Sequence, residues 1–124
     1  MMMKQHIDVS DVLRQAVSES YSHLVTRPTG VAVRAYIEAR LRSTEDGVVT
    51  VIDFSRVGMM DFSCADEIVA KLVLQQQELT GTPRVVFSGL SEIHLEAIDV
   101  VLERHGMSLV SHEADTNSYV AVAH

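Results

Sequence analysis

The sequence lacks several features that would assign it to a class at once. It has one cysteine, Cys64, so no intramolecular disulfide can form. No apolar run approaches the roughly 20 residues of a membrane-spanning helix, so we expect no membrane span. Tryptophan is absent and aromatic residues make up only 5% of the chain. Because so little cysteine fits a reducing compartment, we expect a cytoplasmic location.

Positive charge is also scarce. The 10 lysine and arginine residues are outnumbered by 17 aspartate and glutamate residues, which gives a formal net charge of -7. No basic cluster with interleaved aromatic residues interrupts this acidic balance. Since nucleic-acid binders neutralise phosphates with basic side chains, we expect no nucleic-acid partner. An acidic surface favours protein partners or serves solubility.

The residues that are present describe an ordinary globular chain. It has 124 residues, of which 47% are apolar and 22% charged. This length suits one domain that can fold without a disulfide or a metal. The two prolines, Pro28 and Pro83, lie singly and mark local breaks rather than a linker. We therefore predict a single domain over residues 1–124.

Hydrophobic periodicity predicts that strands and helices alternate along the chain. The predicted strands cover residues 4–9, 48–54, 84–88, 107–110 and 119–122. The predicted helices cover residues 10–25, 28–42, 62–79 and 91–105. Ser10 and Ser91 are the expected N-caps of the first and last helices. The run Val48–Phe54 is continuous rather than alternating, which is typical of a strand buried on both faces of a sheet.

This order predicts an α/β fold in which helices pack on a mixed β-sheet. Strands joined through helices pair in parallel, whereas the last two strands are expected to form a C-terminal β-hairpin. Loops at the carboxyl ends of parallel strands are the usual place for function in such folds. The loop over residues 55–61 is one of them.

One segment carries a family resemblance. A strand ends in Asp53-Phe54, Val57 follows in the loop, and a helix begins with Ser63-Cys64-Ala65-Asp66-Glu67-Ile68. This pattern resembles the STAS superfamily, named for sulphate transporters and anti-sigma-factor antagonists. It is most similar to the STAS-like branch with a Ser-Phe-Ala-Asp-Glu-Leu-type helix start. Arg27, followed at once by the helix from Pro28, also fits that branch.

The resemblance covers residues 26–106 of a single STAS-like layered domain. An N-terminal strand and helix extension (1–25) precedes this region, and terminal strands (107–124) follow it. The resemblance implies a non-enzymatic regulatory module of the anti-sigma-factor-antagonist type that switches protein partners. The implied partner is a histidine-kinase-type ATPase or an anti-sigma factor.

The resemblance also implies a phosphorylation site at the start of the helix. In the antagonist branch a serine in an Asp-Ser-Ser-Gly pattern is phosphorylated there. This chain has Phe62 at the usual acceptor position, and Ser63 matches the second serine, so Ser63 is the candidate. A structural interpretation competes, because Ser63 and Asp66 have the spacing of a capping-box variant.

Helical geometry selects a candidate partner surface. At 100° per residue, small and acidic residues of the 62–79 helix cluster opposite its apolar stripe, and Leu74 lies among them. A leucine exposed in this way can anchor a protein contact. The candidate partner-binding residues are Asp61, Phe62, Ser63, Glu67, Leu74 and Glu78.

Enzyme-like interpretations have weaker support. A receiver-like phosphoacceptor at Asp53 or Asp61 would need a second early acidic group and a late-strand lysine, and both are missing. Capping and solubility explain these acids, together with Asp66 and Glu67, better than a magnesium pocket does. Cys64 lacks the arginine of a phosphatase-type loop, so we expect a structural thiol.

The two helical histidines do not form a metal-binding motif. His94 and His105 lie eleven positions apart with no cysteine pair nearby, so we expect packed or partly exposed side chains. We therefore expect no enzyme activity, no metal and no cofactor. The alternative function is a small-ligand or nucleotide-sensing domain that uses the strand-end cleft.

Overall fold

Five strands form one mixed sheet in the computed structural model of the chain, which describes residues 3–76, 85–112 and 117–124. The strands are β1 (Met3–Asp8), β2 (Val48–Asp53), β3 (Val85–Ser88), β4 (Met107–Ser111) and β5 (Ser118–Ala123). Their order in the sheet is β1-β2-β3-β5-β4. The first three pair in parallel, and β5 is antiparallel to both β3 and β4. The predicted α/β class, with a mixed sheet and a C-terminal hairpin, is confirmed.

Four helices accompany the sheet. They are α1 (Val9–Ala16), α2 (Arg27–Arg42), α3 and α4 (Glu92–Arg104). The helix α3 has three parts, namely Phe62–Ala65, a π-helical turn Asp66–Ala70, and Lys71–Gln76. Glu78, a candidate partner-binding residue, lies outside the described residues. No helix within the described ranges is long and apolar enough to cross a membrane.

The strand β2 is interior, as its β-branched run predicts. It lies between β1 and β3, and Ile52 is fully buried in the core shared with the helices. Val49 points to the opposite face and packs in a small cluster with Val86 and Val120. Val51 and Asp53, on the same face as Val49, are only partly buried, so the expected burial on both faces is found at Val49 and not along the whole strand.

The main core lies between one face of the sheet and all four helices. Each helix contributes fully or nearly fully buried apolar side chains to it, among them Leu13, Ile37, Ile68 and Ile98. Burying one such side chain contributes about 1.5–3 kcal/mol. This packing fixes the helix starts near the carboxyl ends of the parallel strands.

The beginning of α1 differs from the prediction. Asp8 is the N-cap, because its Oδ1 accepts the Ser10 N–H at 2.9 Å. Ser10 lies inside the helix and is buried. The prediction that Ser10 is the cap is therefore wrong by two positions.

The end of α1 also differs. The apolar spacing predicts a helix as far as Val25, but the helix ends at Ala16. Leu24 is instead buried in a parallel bridge with Met60. Its helical spacing reflects burial against a loop rather than along a helix.

Both ends of α4 follow the prediction. The Ser91 Oγ accepts the His94 N–H at 3.2 Å, and His94 Nδ1 accepts the Ser91 N–H at 3.1 Å. Gly106 follows the helix with a φ of 71°, a left-handed conformation that glycine adopts without strain. The helix is thus closed by the residues that its sequence indicates.

Candidate functional site

Two irregular segments meet at the carboxyl ends of the parallel strands. We call residues 54–61 the β2 loop and residues 17–26 the linker. The Leu24 N–H donates to the Met59 carbonyl at 2.8 Å, and the Asp61 N–H donates to the Leu24 carbonyl at 2.9 Å. The two segments therefore form one ordered layer above the sheet edge.

Asp61 organises the start of α3. Its Oδ1 accepts the Cys64 N–H and the Ser63 hydroxyl, each at 2.8 Å, and its Oδ2 accepts the Thr26 N–H at 2.9 Å. Burial acts to raise the pKa of Asp61, but these hydrogen bonds outweigh it and hold the pKa below its usual value. Asp61 is the N-cap, and the prediction that Ser63 caps this helix is wrong.

Thr26, at the end of the linker, has a strained backbone. Its φ of 71° is in the left-handed region, which a β-branched residue rarely adopts. Two contacts from α3 hold it: the Asp61 carboxylate accepts its N–H, and the Cys64 thiol donates to its carbonyl at 3.1 Å. The beginnings of α2 and α3 are therefore mechanically linked.

Cys64 has a structural environment. Its side chain is fully buried. Burial, followed by the nearby charge of Asp61, raises the pKa of the Cys64 thiol to about 12. A thiol held in its protonated form is a poor nucleophile, and this supports the structural role that we expect from the sequence.

Exposed apolar side chains concentrate at this edge. Of the eleven large exposed apolar residues that the structure describes, six lie on the linker, the β2 loop or the first turns of α3 and α4. Met59, Phe62 and Ile93 are the most exposed of the six, at 56%, 49% and 52%. We call these three residues the loop-end surface. Single exposed apolar residues are common, whereas several at one edge of a sheet make that edge a candidate interaction surface.

The backbone below Met59 is held on both sides. The Gly58 N–H donates to the Ser22 carbonyl at 2.9 Å, and the Met59 N–H donates to His23 Nδ1 at 2.9 Å. The Gly58 carbonyl lies 2.6 Å from His94 Nε2. Met59 is therefore displayed by an ordered loop.

Glu67 is buried, in contrast to the prediction. Only 2% of it is exposed, and three cations from α2 and α3 surround its carboxylate. The distances are 2.6 Å to Arg27 Nη1, 2.7 Å to Lys71 Nζ and 3.0 Å to Arg34 Nη2. Burial acts to raise the pKa of Glu67, and hydrogen bonds from Lys71 and Arg27 hold it below its usual value.

Close packing of two helices explains why the predicted outer face of α3 is covered. A Cβ placed on Gly30 of α2 would lie 3.0 Å from Glu67 Cβ and 3.1 Å from Cys64 Cα. Ala70 is one of the small residues that helical geometry places on this outer face, and it is fully buried. The helix α2 therefore occupies the side of α3 where the sequence indicates solvent.

The remaining carboxylates have partners of their own. Asp66 accepts from Arg27 at 3.0 Å and lies 3.2 Å from His105 Nε2. Asp53 lies 3.1 Å from His6 Nε2 and accepts the Ser55 N–H at 2.9 Å. Within residues 3–76, 85–112 and 117–124, no group of three or more potential ligand residues is arranged to hold a metal ion.

The structure brings together only part of the predicted partner surface. Asp61, Phe62 and Ser63 lie at the start of α3. Leu74 is 37% exposed, but it lies twelve positions further along, which is about 18 Å at the rise of an α-helix. Buried Glu67 lies between the two ends, so these residues do not form one continuous surface.

Sequence reasoning missed two members of the loop-end surface. Met59 lies in a loop without periodicity, and Ile93 lies in the first turn of a helix whose stripe begins further on. The available signal was Met59 itself, a large apolar residue in the loop after a parallel strand, where functional residues usually lie. No family model, curated protein or solved structure matches the chain significantly. Its function is therefore inferred from its fold and this site.

Proposed function

We propose that the chain is a non-enzymatic regulatory module that binds a protein partner through the loop-end surface. The observation that carries this proposal is the exposure of Met59 and Phe62, at 56% and 49%, on a backbone fixed by hydrogen bonds. The resemblance of residues 26–106 to STAS-like domains favours a histidine-kinase-type ATPase or an anti-sigma factor as the partner. We expect this interaction in the cytoplasm.

The energetics of association favour such a surface. Methionine and phenylalanine supply large apolar areas, and a few such anchors contribute most of the binding free energy in protein interfaces. Because the β2 loop is already ordered, binding loses little conformational entropy there. The half-exposed Arg56 of the β2 loop and Arg27 at the start of α2 supply a polar rim.

Ser63 is the hydroxyl that a phosphorylation switch would use in this proposal. It is partly exposed and donates to the Asp61 carboxylate. A phosphate there would remove that hydrogen bond and add a charge of about -1.5 to -2 beside Asp61 and Asp66. The repulsion would loosen the start of α3 and place charge next to an apolar contact, so the partner would be released.

Affinity capture from cells of the source organism tests the proposal. The baits are the wild-type chain, a Met59→Ser/Phe62→Ser double variant, and Leu74→Ser. The last is the control, because it also replaces an exposed apolar side chain by serine but lies at the other end of α3. We expect the wild type and Leu74→Ser to enrich an ATPase or anti-sigma factor of the stated class. We expect the double variant to lose at least about tenfold of that enrichment.

Two results would contradict the proposal. Either the double variant keeps the partner at the wild-type level, whatever Leu74→Ser does, or no protein of the stated class is enriched. A thermal-shift panel of nucleotides on the same preparations measures the alternative, and a shift without a captured protein would favour ligand sensing. Melting temperatures of all baits establish that each variant is folded.

A further inference from the structure

One peptide group of the β2 loop is held between two histidines from different elements. The N–H of the Gly58–Met59 peptide donates to Nδ1 of His23, which belongs to the linker. The carbonyl of the same peptide lies 2.6 Å from Nε2 of His94, which belongs to α4. The two rings thus hold both polar atoms of the peptide that displays Met59.

Hydrogen-bond complementarity determines the ionisation state of both rings. An amide N–H can only donate, so Nδ1 of His23 carries a lone pair and its proton is on Nε2. Nδ1 of His94 accepts the Ser91 N–H in the same way, and its Nε2–H donates to the Gly58 carbonyl. Both imidazoles are therefore neutral in this arrangement. A protonated His23 would direct an N–H at the Met59 amide hydrogen and lose that bond, whereas a protonated His94 would lose its bond to the Ser91 N–H and keep the one to the Gly58 carbonyl.

The two rings differ in their access to solvent. His23 is exposed, and a Cβ on Gly58 would lie 2.5 Å from its Nδ1 and Cε1, so the ring lies directly against the loop. His94 is only 1% exposed, and its ring lies 6.0 Å from that of Phe54. A charge on His94 would therefore be buried, whereas a charge on His23 would be exposed to solvent.

Neither ring has an ion-pair partner among the described residues. In the part of the chain that the structure describes, the histidines with ion-pair contacts are His6 and His105, and neither His23 nor His94 has one. The charged residues nearest along the chain to the two rings and to the peptide between them are Glu19, Arg27, Arg56, Asp61, Glu92 and Glu96. Arg27 and Arg56 pair with other carboxylates, and Asp61 caps α3.

We propose that His23 is a positioning residue that holds the Met59 N–H only while its ring is uncharged, so that mild acid releases this contact of the β2 loop, whereas His94 holds the Gly58 carbonyl in either charge state. Imidazole is the side chain whose charge ordinarily changes in the mildly acidic range. Weaker partner binding in acid follows from this release, and that consequence rests on the proposed function. The release itself is a property of the isolated chain.

NMR on the full-length isotope-labelled protein tests the release directly. Between about pH 7.5 and pH 5.5, we expect the Met59 amide signal to move together with the ring nitrogen signals of His23. Its hydrogen-exchange protection, corrected for intrinsic rates, should fall about fivefold, as expected for the loss of one hydrogen bond. His23→Asn is the matched variant, because its amide oxygen can accept the Met59 N–H at any pH. In that variant the acid-induced shift and loss of protection should disappear.

The inference is overturned if the Met59 amide does not move as His23 titrates, or if it moves equally in His23→Asn. Partner affinity is measured separately at both pH values. We expect about fivefold weaker binding in acid for the wild type and no change for His23→Asn. A wild-type affinity that does not depend on pH overturns the link to binding. Failure to bind a partner at neutral pH contradicts the proposed function and leaves the NMR result standing.

Discussion

At the scale of single residues, Asp61 links the site together. One carboxylate accepts hydrogen bonds from the Cys64 N–H and the Ser63 hydroxyl of α3 and from the Thr26 N–H of the linker. The strained Thr26 backbone persists because the structure around it is fixed in this way. Removing the carboxylate should therefore affect two helix starts at once.

We predict that Asp61→Ala lowers the free energy of unfolding by about 2 kcal/mol at neutral pH, at the upper end for a lost N-cap. Because the pKa of Asp61 is lower in the folded chain, its charge stabilises the fold above the unfolded-state pKa. That contribution is lost as the pH falls through the folded-state pKa. Urea unfolding at about pH 7 and pH 3 should show the difference from wild type shrinking in acid. Asp61→Asn, which keeps an acceptor, should cost less, and an equal cost for both variants would contradict this role.

Glu67 offers a second test at this scale. Glu67→Gln leaves Arg27, Arg34 and Lys71 without their shared carboxylate, and we predict a loss of about 2 kcal/mol. The control is Glu38→Gln, which removes a partly exposed partner 3.3 Å from Arg34, and we expect it to cost less than about 1 kcal/mol. Urea denaturation of both variants measures the difference. Equal losses of unfolding free energy would show that the buried Glu67 carboxylate stabilises the fold no more than the partly exposed Glu38 does.

Ser63 tests the proposed switch. Ser63→Glu places a charge beside Asp61, and we predict that partner affinity falls at least about fivefold, whereas Ser63→Ala changes it less than about twofold. Titration calorimetry with the captured partner gives both affinities. Equal binding by the two variants would argue against a charge-operated release at this position.

At the scale of elements, the apolar pattern predicted well which residues are buried. It predicted less well which helix, strand or loop covers them. The strands and the helices α2 to α4 were predictable because each contributes a regular set of apolar side chains to the core between the helices and the sheet. The helix α1 was predicted too long because Leu24 has helical spacing yet is buried against Met60. Periodicity reports that a residue is covered, and it does not identify the segment that covers it.

The helix α3 shows the same limit for a charged residue. A constant 100° per residue placed Glu67 outside, but the π-helical turn Asp66–Ala70 changes the rotation and α2 covers that side. Two of the cations that compensate its charge, Arg27 and Arg34, are 40 and 33 positions away. No local spacing could reveal them. The site residues Asp61 and Phe62 were predictable because they begin the helix that follows the loop after β2.

We predict that Gly30→Ala destabilises the fold by about 1 kcal/mol, although alanine favours helices. The added Cβ would lie 3.0 Å from Glu67 Cβ and 3.1 Å from the Cys64 backbone, so α2 and α3 would have to separate. Thermal unfolding checks this, with Ala35→Gly on the exposed face of α2 as a measure of helix propensity alone. A higher melting temperature for Gly30→Ala would show that the helices can separate at no cost.

At the scale of the whole molecule, the sheet sets one functional edge. Its three parallel strands end on the same side, where the linker, the β2 loop and the first turn of α4 meet. The hairpin of β4 and β5 lies at one side of the sheet, with Val110 and Val122 partly exposed. The proposed partner contact therefore uses the loop edge, and the hairpin should be free in the complex.

The most direct test of this contact is an amide footprint of the isotope-labelled chain bound to its purified partner. We predict that the largest chemical-shift changes, or the strongest line broadening, occur at Met59, Phe62 and Ile93. Signals from Leu74 and Val110 should change little. A footprint centred on either of those two residues, with the loop-end surface unchanged, would contradict the proposed function.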